Sequence, residues 1–115
     1  MCGPISVATG TGVSSRNASG QDATVQGVQN IISGWQTMTV WKDTRKLARA
    51  SAAAAIALSK GQKPAQTGTV KNGSKTLPAF IIPPVSINKT NYKQLFNGYL
   101  KRSEVCRGAY AKYCK

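Results

Sequence analysis

The stretch Gln36-Thr37-Met38-Thr39-Val40-Trp41-Lys42-Asp43, with the alanine-rich run that follows it, decides the fold of this chain. Residues 37–41 are β-branched and aromatic, which predicts a short strand. Asp43 then stands at the N-cap of a predicted helix over 44–60, which Gly61 ends. A strand that leads directly into a helix of small residues predicts an α/β unit.

The flanking segments supply further elements. Apolar residues at helical spacing predict a helix over 23–33, with Asp22 at its cap position and Gly34 at its end. Asn72-Gly73 lies between two short extended pieces and predicts a hairpin. Aromatic and leucine side chains within 91–100 predict a short helix. The order helix, strand, helix, hairpin, helix is that of α/β proteins.

The packing of these elements can also be predicted. The helix over 44–60 is expected to lie close against a sheet. The segment 77–87 is expected to be extended, and Pro83-Pro84 keeps it from a central sheet position because proline cannot donate to a ladder. Residues 1–20 are rich in Gly, Ser and Thr and are expected to be flexible. The buried face of the 44–60 helix is expected to consist of Leu47, Ala50, Ala53, Ala54, Ala57 and Leu58.

Composition restricts the chemistry of the chain. Its 115 residues include 16 Lys plus Arg, 3 Asp plus Glu and no His, for a formal net charge of +13. The length suits one small domain with a thin core. Acid–base pairs, catalytic triads and His-rich metal sites lack their parts, because Asp22, Asp43 and Glu104 are the only carboxylates. The sequence therefore predicts a protein that is not an enzyme and uses no metal or cofactor.

A high positive charge is typical of proteins that bind nucleic acid or an anionic membrane. The cations are spread from Arg16 to Lys115 with no run longer than two, and few aromatic side chains lie among them to stack on bases. We therefore expect no specific nucleic-acid partner. A basic module that binds nucleic acid or another polyanion is kept as the alternative function.

The sequence also bears on location. No stretch approaches the roughly 18 consecutive apolar residues of a membrane span. The start, Met1-Cys2-Gly3-Pro4, has neither the basic nor the apolar region of a secretory signal. As written, the chain is expected to stay in the cytoplasm.

The run Gly20-Gln21-Asp22-Ala23, the segment 36–42 and the helix that ends at Lys60-Gly61 together resemble the C-terminal lobe of the sugar-binding proteins of bacterial ABC importers. The likeness is closest to the D-xylose-binding branch of the type I periplasmic binding proteins. It implies an α/β fold in which residues 20–115 are a partial, incomplete lobe. Residues 1–19 match nothing in that family and are expected to be a flexible N-terminal segment.

The resemblance also implies a function. In that family two lobes close on one sugar, and the complete protein is far longer than this chain. The implied protein is a substrate-binding component, or a fragment of one, with a pentose such as D-xylose as ligand and a membrane permease as partner. The parent family is periplasmic or extracellular and membrane-associated. A truncated or frame-shifted gene would also produce the boundary near residue 19, so a non-functional gene remnant is a further alternative.

Two sugar-binding positions carry over from the resemblance. Asp22 matches the loop aspartate that accepts hydrogen bonds from sugar hydroxyls, and Lys42 matches the lysine after the Thr-Val-aromatic strand. A carboxylate can accept from two neighbouring hydroxyls while an ammonium donates to their lone pairs. Both residues would lie at carboxyl ends of strands, where open α/β sheets bind ligands. Without the resemblance, Asp22 would be interpreted as an N-cap and Lys42 as a solvated cation.

Trp41 and the cysteines carry further expectations. Trp41 could stack on a sugar face, but strand alternation points it away from Lys42, so we expect it in the core. Cys106 and Cys114 bracket a short C-terminal segment and could close a local disulfide in an oxidising compartment. A metal site there would lack further ligands. Cys2 is left over and is expected to be free.

Overall fold

The computed structural model describes residues 18–115, which form two compact units. Unit 1 consists of residues 18–42 together with Pro84–Lys115, and unit 2 is Asp43–Pro83. Residues 1–17 of the N-terminal segment expected to be flexible lie outside the described residues. At its end the expectation is wrong, because Ser19 begins a strand and pairs with Met38. The boundary expected between residues 19 and 20 stays a prediction.

Helices and strands alternate along the first half of the chain, and the second half is a hairpin, a strand and short helices. In chain order the elements are β1 (Ser19–Gln21), α1 (Val25–Ser33), β2 (Met38–Trp41), α2 (Thr44–Ser59), β3 (Gly68–Asn72), β4 (Lys75–Ala79), β5 (Val85–Asn88), a 3₁₀ helix (Tyr92–Phe96), α3 (Arg102–Val105) and a second 3₁₀ helix (Gly108–Tyr113). The mixture of helices with parallel and antiparallel strands confirms the predicted α/β class.

A three-stranded sheet in the order β1-β2-β5 organises unit 1. β1 runs parallel to β2 with Gly20 opposite Thr39, and β5 runs antiparallel to β2 with Ile87 opposite Thr39. A Cβ atom at Gly20 would lie 2.6 Å from Nε2 of Gln36, so a larger residue there would require the end of the Gln36 side chain to shift. β5 pairs on one side only in this sheet, as the two prolines ahead of it predicted.

α1 begins at Val25, two residues later than predicted. Its N-cap is Thr24, whose hydroxyl accepts from the backbone N–H of Gly27 at 3.1 Å. The interpretation of Asp22 as an N-cap is therefore wrong, because the chain still turns at Asp22 and reaches the extended cap conformation only at Thr24. Gly34 ends the helix with a φ of 91°, as predicted.

The core of unit 1 lies where α1 meets the sheet and the short helices that follow it. Each aliphatic side chain buried there contributes about 1.5–3 kcal/mol relative to an exposed position. The amide of Gln29 is buried with them and donates to the carbonyls of Glu104 and Val105, so this polar group is satisfied. The buried cluster consists of Ala23, Val28, Ile31, Ile32, Ile87, Tyr92, Leu95, Val105 and Cys114.

The C-terminal part of unit 1 is less helical than predicted. The helix expected over 91–100 is a 3₁₀ helix at Tyr92–Phe96, because Asn91 makes no side-chain cap and the chain turns at Gly98 with a φ of 84°. A disulfide joins Cys106 to Cys114, with the Cα atoms 5.9 Å apart. The side chain of Cys114 reaches the core, so the disulfide fastens the end of the chain to unit 1.

Unit 2 contains α2 and a hairpin. α2 begins after Asp43, whose carboxylate accepts from the backbone N–H of Arg45 at 3.1 Å. It ends within one residue of the predicted position, where Gly61 has a φ of 68°. β3 and β4 pair antiparallel around the predicted turn. The two central turn residues are Gly73 and Ser74, since Asn72 already pairs with Lys75.

The expectation of a buried face on α2 is wrong. None of its residues is buried, and the side chains of Leu47 and Leu58 are 56% and 63% exposed. The reason is that the hairpin in unit 2 does not pack closely along α2, and its own strands are largely exposed. Such a hairpin offers too little apolar surface to cover a helix of four turns.

Candidate functional site

Asp22 and Lys42 meet at one edge of the sheet. Asp22 directly follows β1 and Lys42 directly follows β2, and these two strands are parallel neighbours. Their carboxyl ends therefore lie side by side. Nζ of Lys42 lies 2.9 Å from Oδ1 of Asp22. The structure thus brings together the two residues that the sequence singled out.

Gln21 joins this ion pair. Nζ of Lys42 also donates to Oε1 of Gln21 at 3.1 Å. The side chains of Lys42 and Asp22 are 52% and 61% exposed. An exposed ion pair of this kind contributes about 0–1 kcal/mol to stability. The pair therefore does little for the fold, and both charged groups are accessible to a ligand.

The turn that carries Asp22 has an unusual backbone. Asp22 has a φ of 74° and Ala23 a φ of 45°, a left-handed conformation that residues with a Cβ atom seldom adopt. The N–H of Asp22 donates to the carbonyl of Val40 at 2.7 Å, and the N–H of Ala23 donates to the hydroxyl of Thr39 at 3.3 Å. The hydroxyl of Tyr99 donates to the carbonyl of Asp22 at 3.3 Å. Bonds from β2 and from Tyr99 therefore hold this turn.

Two aromatic rings lie beside the turn. The rings of Trp41 and Tyr99 are 5.3 Å apart between centroids and tilted by 58°. Trp41 is half-buried and packs against the core cluster without being one of its buried residues, so the expectation of a core position is met only in part. Its indole Nε1 is buried and has no hydrogen-bond partner among residues 18–115. Tyr99 thus links the core to the Asp22 turn through its ring and its hydroxyl.

Sequence reasoning missed three of these residues. Gln21 was quoted within the Gly-Gln-Asp-Ala run, but nothing local shows that its side chain reaches Lys42. Thr39 looks like an ordinary β-branched strand residue. Tyr99 is 77 positions away from Asp22 in the chain, so no spacing pattern could connect the two.

A second concave surface lies within unit 2. It is an open groove with a volume of about 490 Å³ between α2 and the segment after β4. Its walls are apolar apart from the cationic side chains of Lys46 and Arg49. The full lining is Lys46, Arg49, Ala50, Phe80, Ile81, Ile82 and Pro83. No sequence pattern indicates this groove, because it combines a helix with a segment about thirty residues further along the chain.

Residues 18–115 lack both a metal-binding cluster and a membrane-spanning helix. No group of three or more His, Cys, Asp or Glu side chains comes together there that could hold a metal ion. No helix in the same residues has the length and the apolar character needed to cross a membrane.

The fold of the described residues matches part of the fold of the sugar solute-binding proteins of ABC transporters. Two solved structures share this fold. One is a carbohydrate transporter solute-binding protein from Chloroflexus aurantiacus in complex with D-glucose, with a TM-score of 0.70 and 41% identity over 75% of this chain and 26% of that one. The other is an ABC transporter solute-binding protein from Clostridium phytofermentans with bound β-D-glucose, with a TM-score of 0.69 and 33% identity over 76% and 28%.

Sequence relatives of the chain are periplasmic sugar-binding proteins. The D-xylose-binding periplasmic protein of Escherichia coli K12 is 39% identical over 106 residues, which are 90% of this chain and 32% of the relative. The multiple sugar-binding periplasmic receptor ChvE of Rhizobium radiobacter is 38% identical over 75% of this chain and 25% of its own length. No protein-family model matches the chain.

These matches confirm the resemblance that the sequence suggested. The chain is homologous to periplasmic sugar-binding proteins of the D-xylose type. It spans about a third or less of the length of the relatives it matches. The relatives and the two structural neighbours are described as binding proteins and not as enzymes.

Proposed function

We propose that this chain is a part of the substrate-binding component of an ABC-type sugar importer, and that it supplies one wall of a site for a monosaccharide. The observation that carries the proposal is the Lys42–Asp22 pair, which lies exposed at the carboxyl ends of two parallel strands. The proposed ligand is a pentose such as D-xylose, in line with the description of the relative from Escherichia coli. The proposed partners are a second lobe and a membrane permease.

The chemistry of the pair suits a sugar. The carboxylate of Asp22 can accept hydrogen bonds from two neighbouring hydroxyls, and the ammonium of Lys42 can donate to their lone pairs. Each charge-assisted bond of this kind contributes about 1.5–3 kcal/mol once water is excluded. Because the ion pair is exposed, a sugar can exchange its water contacts for these groups without breaking a buried interaction.

The proposed location is the periplasm or another extracellular compartment, as for the relatives. The disulfide between Cys106 and Cys114 supports this proposal, because disulfides persist in oxidising compartments. The permease would recognise the closed, sugar-bound form of the whole protein.

The described lobe alone is expected not to bind sugar usefully. A site of this kind gains its strength by burying most of the ligand, and one lobe supplies only part of the walls. Two hydrogen bonds on an open face are weakened by water, and association costs about 4 kcal/mol or more. Calorimetry of the chain with millimolar D-xylose, D-ribose, D-glucose and L-arabinose should therefore give no heat of binding.

The decisive experiment restores the rest of the fold. This chain replaces the matching segment of the Escherichia coli D-xylose-binding protein, and the hybrid is titrated with the same four sugars. Asp22→Ala should weaken binding by at least about 1.5 kcal/mol, the contribution of one charge-assisted bond. Lys42→Met should do the same while the thermal midpoint stays nearly unchanged, because it keeps the apolar stem and removes only the charge.

Lys89→Met is the matched control. Lys89 is exposed and follows β5, which runs antiparallel to β2, so it lies at the opposite edge of the sheet. Its replacement should leave the affinity unchanged. A hybrid in which Asp22→Ala and Lys42→Met bind as tightly as the unchanged chain would overturn the proposal. Binding of random duplex DNA that falls steeply with salt would favour the polyanion-binding alternative instead.

A further inference from the structure

The Asp22–Ala23 turn needs an external constraint to keep its shape. Aspartate visits the left-handed region because its short polar side chain can bond locally, whereas alanine has no such compensation. Ala23 nevertheless has a φ of 45° and is fully buried. The turn would relax toward ordinary backbone angles if nothing held the peptide of Ala23.

The hydroxyl of Thr39 supplies this constraint. Thr39 lies within β2 with a fully buried side chain, and its Oγ1 accepts the N–H of Ala23 at 3.3 Å. Since both groups are inaccessible to solvent, water cannot replace this bond. The bonds from Val40 and Tyr99 hold the peptide groups of Asp22. The contact with Thr39 is the one that acts on the strained alanine.

We propose that Thr39 is a positioning residue for the sugar site. Its buried hydroxyl holds Ala23 in the left-handed conformation, and this conformation directs the carboxylate of Asp22 toward Lys42. The proposed role of Thr39 involves no contact with the sugar. The consequence for sugar binding rests on the proposed function, whereas the effect on the turn does not.

The first test uses the whole chain and no sugar. Thr39→Val keeps the shape of the side chain and removes the acceptor, and Thr39→Ser keeps the hydroxyl. NMR three-bond couplings between the amide and α protons, with carbon chemical shifts, report φ at Asp22 and Ala23. We expect Ala23 to leave the positive-φ region in Thr39→Val and to keep it in Thr39→Ser. A positive φ at Ala23 in Thr39→Val would overturn the proposal.

The second test separates positioning from a general role in stability. Glycine adopts positive φ without a steric cost, so Ala23→Gly should remove the need for the constraint. In the Ala23→Gly background, Thr39→Val should move Asp22 less than it does in the unchanged chain. A residue that only stabilises the core would lower the thermal midpoint in both backgrounds and leave Asp22 in place. Thr39→Ala, which adds no apolar bulk, decides the question if Thr39→Val does not fold.

The third test measures sugar binding by the hybrid described above. Thr39→Val should weaken binding by roughly tenfold, about the loss of one hydrogen bond, and by no more than Asp22→Ala does. Thr39→Ser should restore the affinity. If the unchanged hybrid binds none of the four sugars, the proposed function fails, while the couplings still decide the role of Thr39. If the unchanged hybrid binds and Thr39→Val binds equally tightly, the positioning role is overturned.

Discussion

Unit 1 and unit 2 differ in what holds their helices in place. α1, in unit 1, has nine residues and buries four of them. α2, in unit 2, has sixteen residues and buries none. The longer helix is the one with the stronger sequence signals, a capping aspartate, an alanine-rich body and a terminal glycine. Strong local signals and burial are therefore separate properties in this chain.

The difference follows from the physics of helix formation. Alanine has the highest helix propensity, and an N-cap residue accepts a hydrogen bond from an otherwise unpaired N–H group of the first turn. Local interactions can therefore favour α2 as a helix. Helices in proteins nevertheless gain most of their stability from a packed apolar face. α1 has such a face, because Val28, Ile31 and Ile32 meet Ile87 and Leu95 in one cluster. The stability of the described residues should therefore reside in unit 1.

The largest effect should come from a matched pair of leucines, one in each unit. Leu95 is fully buried in unit 1, and Leu58 is 63% exposed on α2. Leu95→Ala should lower the free energy of unfolding by about 2–5 kcal/mol, since it leaves a cavity in the core. Leu58→Ala should change it by no more than about 0.5 kcal/mol, as is usual for a surface site. Urea denaturation should be followed by tryptophan fluorescence, which reports on unit 1 where Trp35 and Trp41 lie, and by far-UV circular dichroism, which also reports on α2.

Ile56→Ala is a second control for this comparison, because Ile56 is also an exposed aliphatic residue of α2. If Leu58→Ala or Ile56→Ala were as costly as Leu95→Ala, the face of α2 would have to be covered in solution. The contrast between the two units would then be lost.

The two longer helices, β2 and the hairpin could be predicted from the sequence, whereas β1 lies partly in a segment expected to be flexible and no helix was predicted over α3 or the second 3₁₀ helix. The capping signals of α2 and the turn at Gly73 are local, so their positions were correct to within a residue or so. The predicted burial of Leu47 and Leu58 failed, because propensity does not tell which surface a helix meets. The helix predicted over 91–100 is shorter in the structure, since the turn at Gly98 interrupts an apparently helical pattern.

The site could be predicted only in part. Asp22 and Lys42 were placed at strand ends by the resemblance, and the parallel pairing of β1 with β2 explains why they meet. The supporting contacts of Thr39 and Tyr99 could not be predicted. They connect positions 16 and 77 residues apart and depend on the three-dimensional path of the chain.

A smaller effect should come from the disulfide that fastens the end of unit 1. Cys106 and Cys114 are eight positions apart. A disulfide that closes a loop of this length stabilises the folded state by about 2–3 kcal/mol, because it removes conformational entropy from the unfolded chain. Reduction, or the double change Cys106→Ala with Cys114→Ala, should lower the stability of unit 1 by that amount. The ellipticity of α2 should stay unchanged. Cys2→Ser is the control and should alter neither quantity.

The contrary result would be informative about the packing of the last segment. Gln29 and Arg102 also hold this segment through the carbonyls of Glu104, Val105 and Cys114. If reduction left the urea midpoint unchanged, these hydrogen bonds and the buried side chains would be sufficient to dock the end of the chain.

The smallest effect should be confined to the start of α2 and should depend on pH. The guanidinium of Arg45 donates to the carboxylate of Asp43 from Nε at 2.9 Å, and this hydrogen bond holds the pKa of Asp43 below its ordinary value of 3.8. A lowered pKa in the folded state means that the contribution to stability is complete above pH 3.8 and is lost as the pH falls through the lower, folded-state value. NMR titration of the Asp43 carboxyl carbon should therefore give a midpoint below 3.8, and the first turn of α2 should fray on the acid side of that midpoint. Arg45→Gln should raise the midpoint, and Asp43→Asn, which keeps a cap acceptor but cannot titrate, should remove the acid fraying. A midpoint at or above 3.8 in the unchanged chain would show that the pair between Asp43 and the Arg45 guanidinium does not persist in solution.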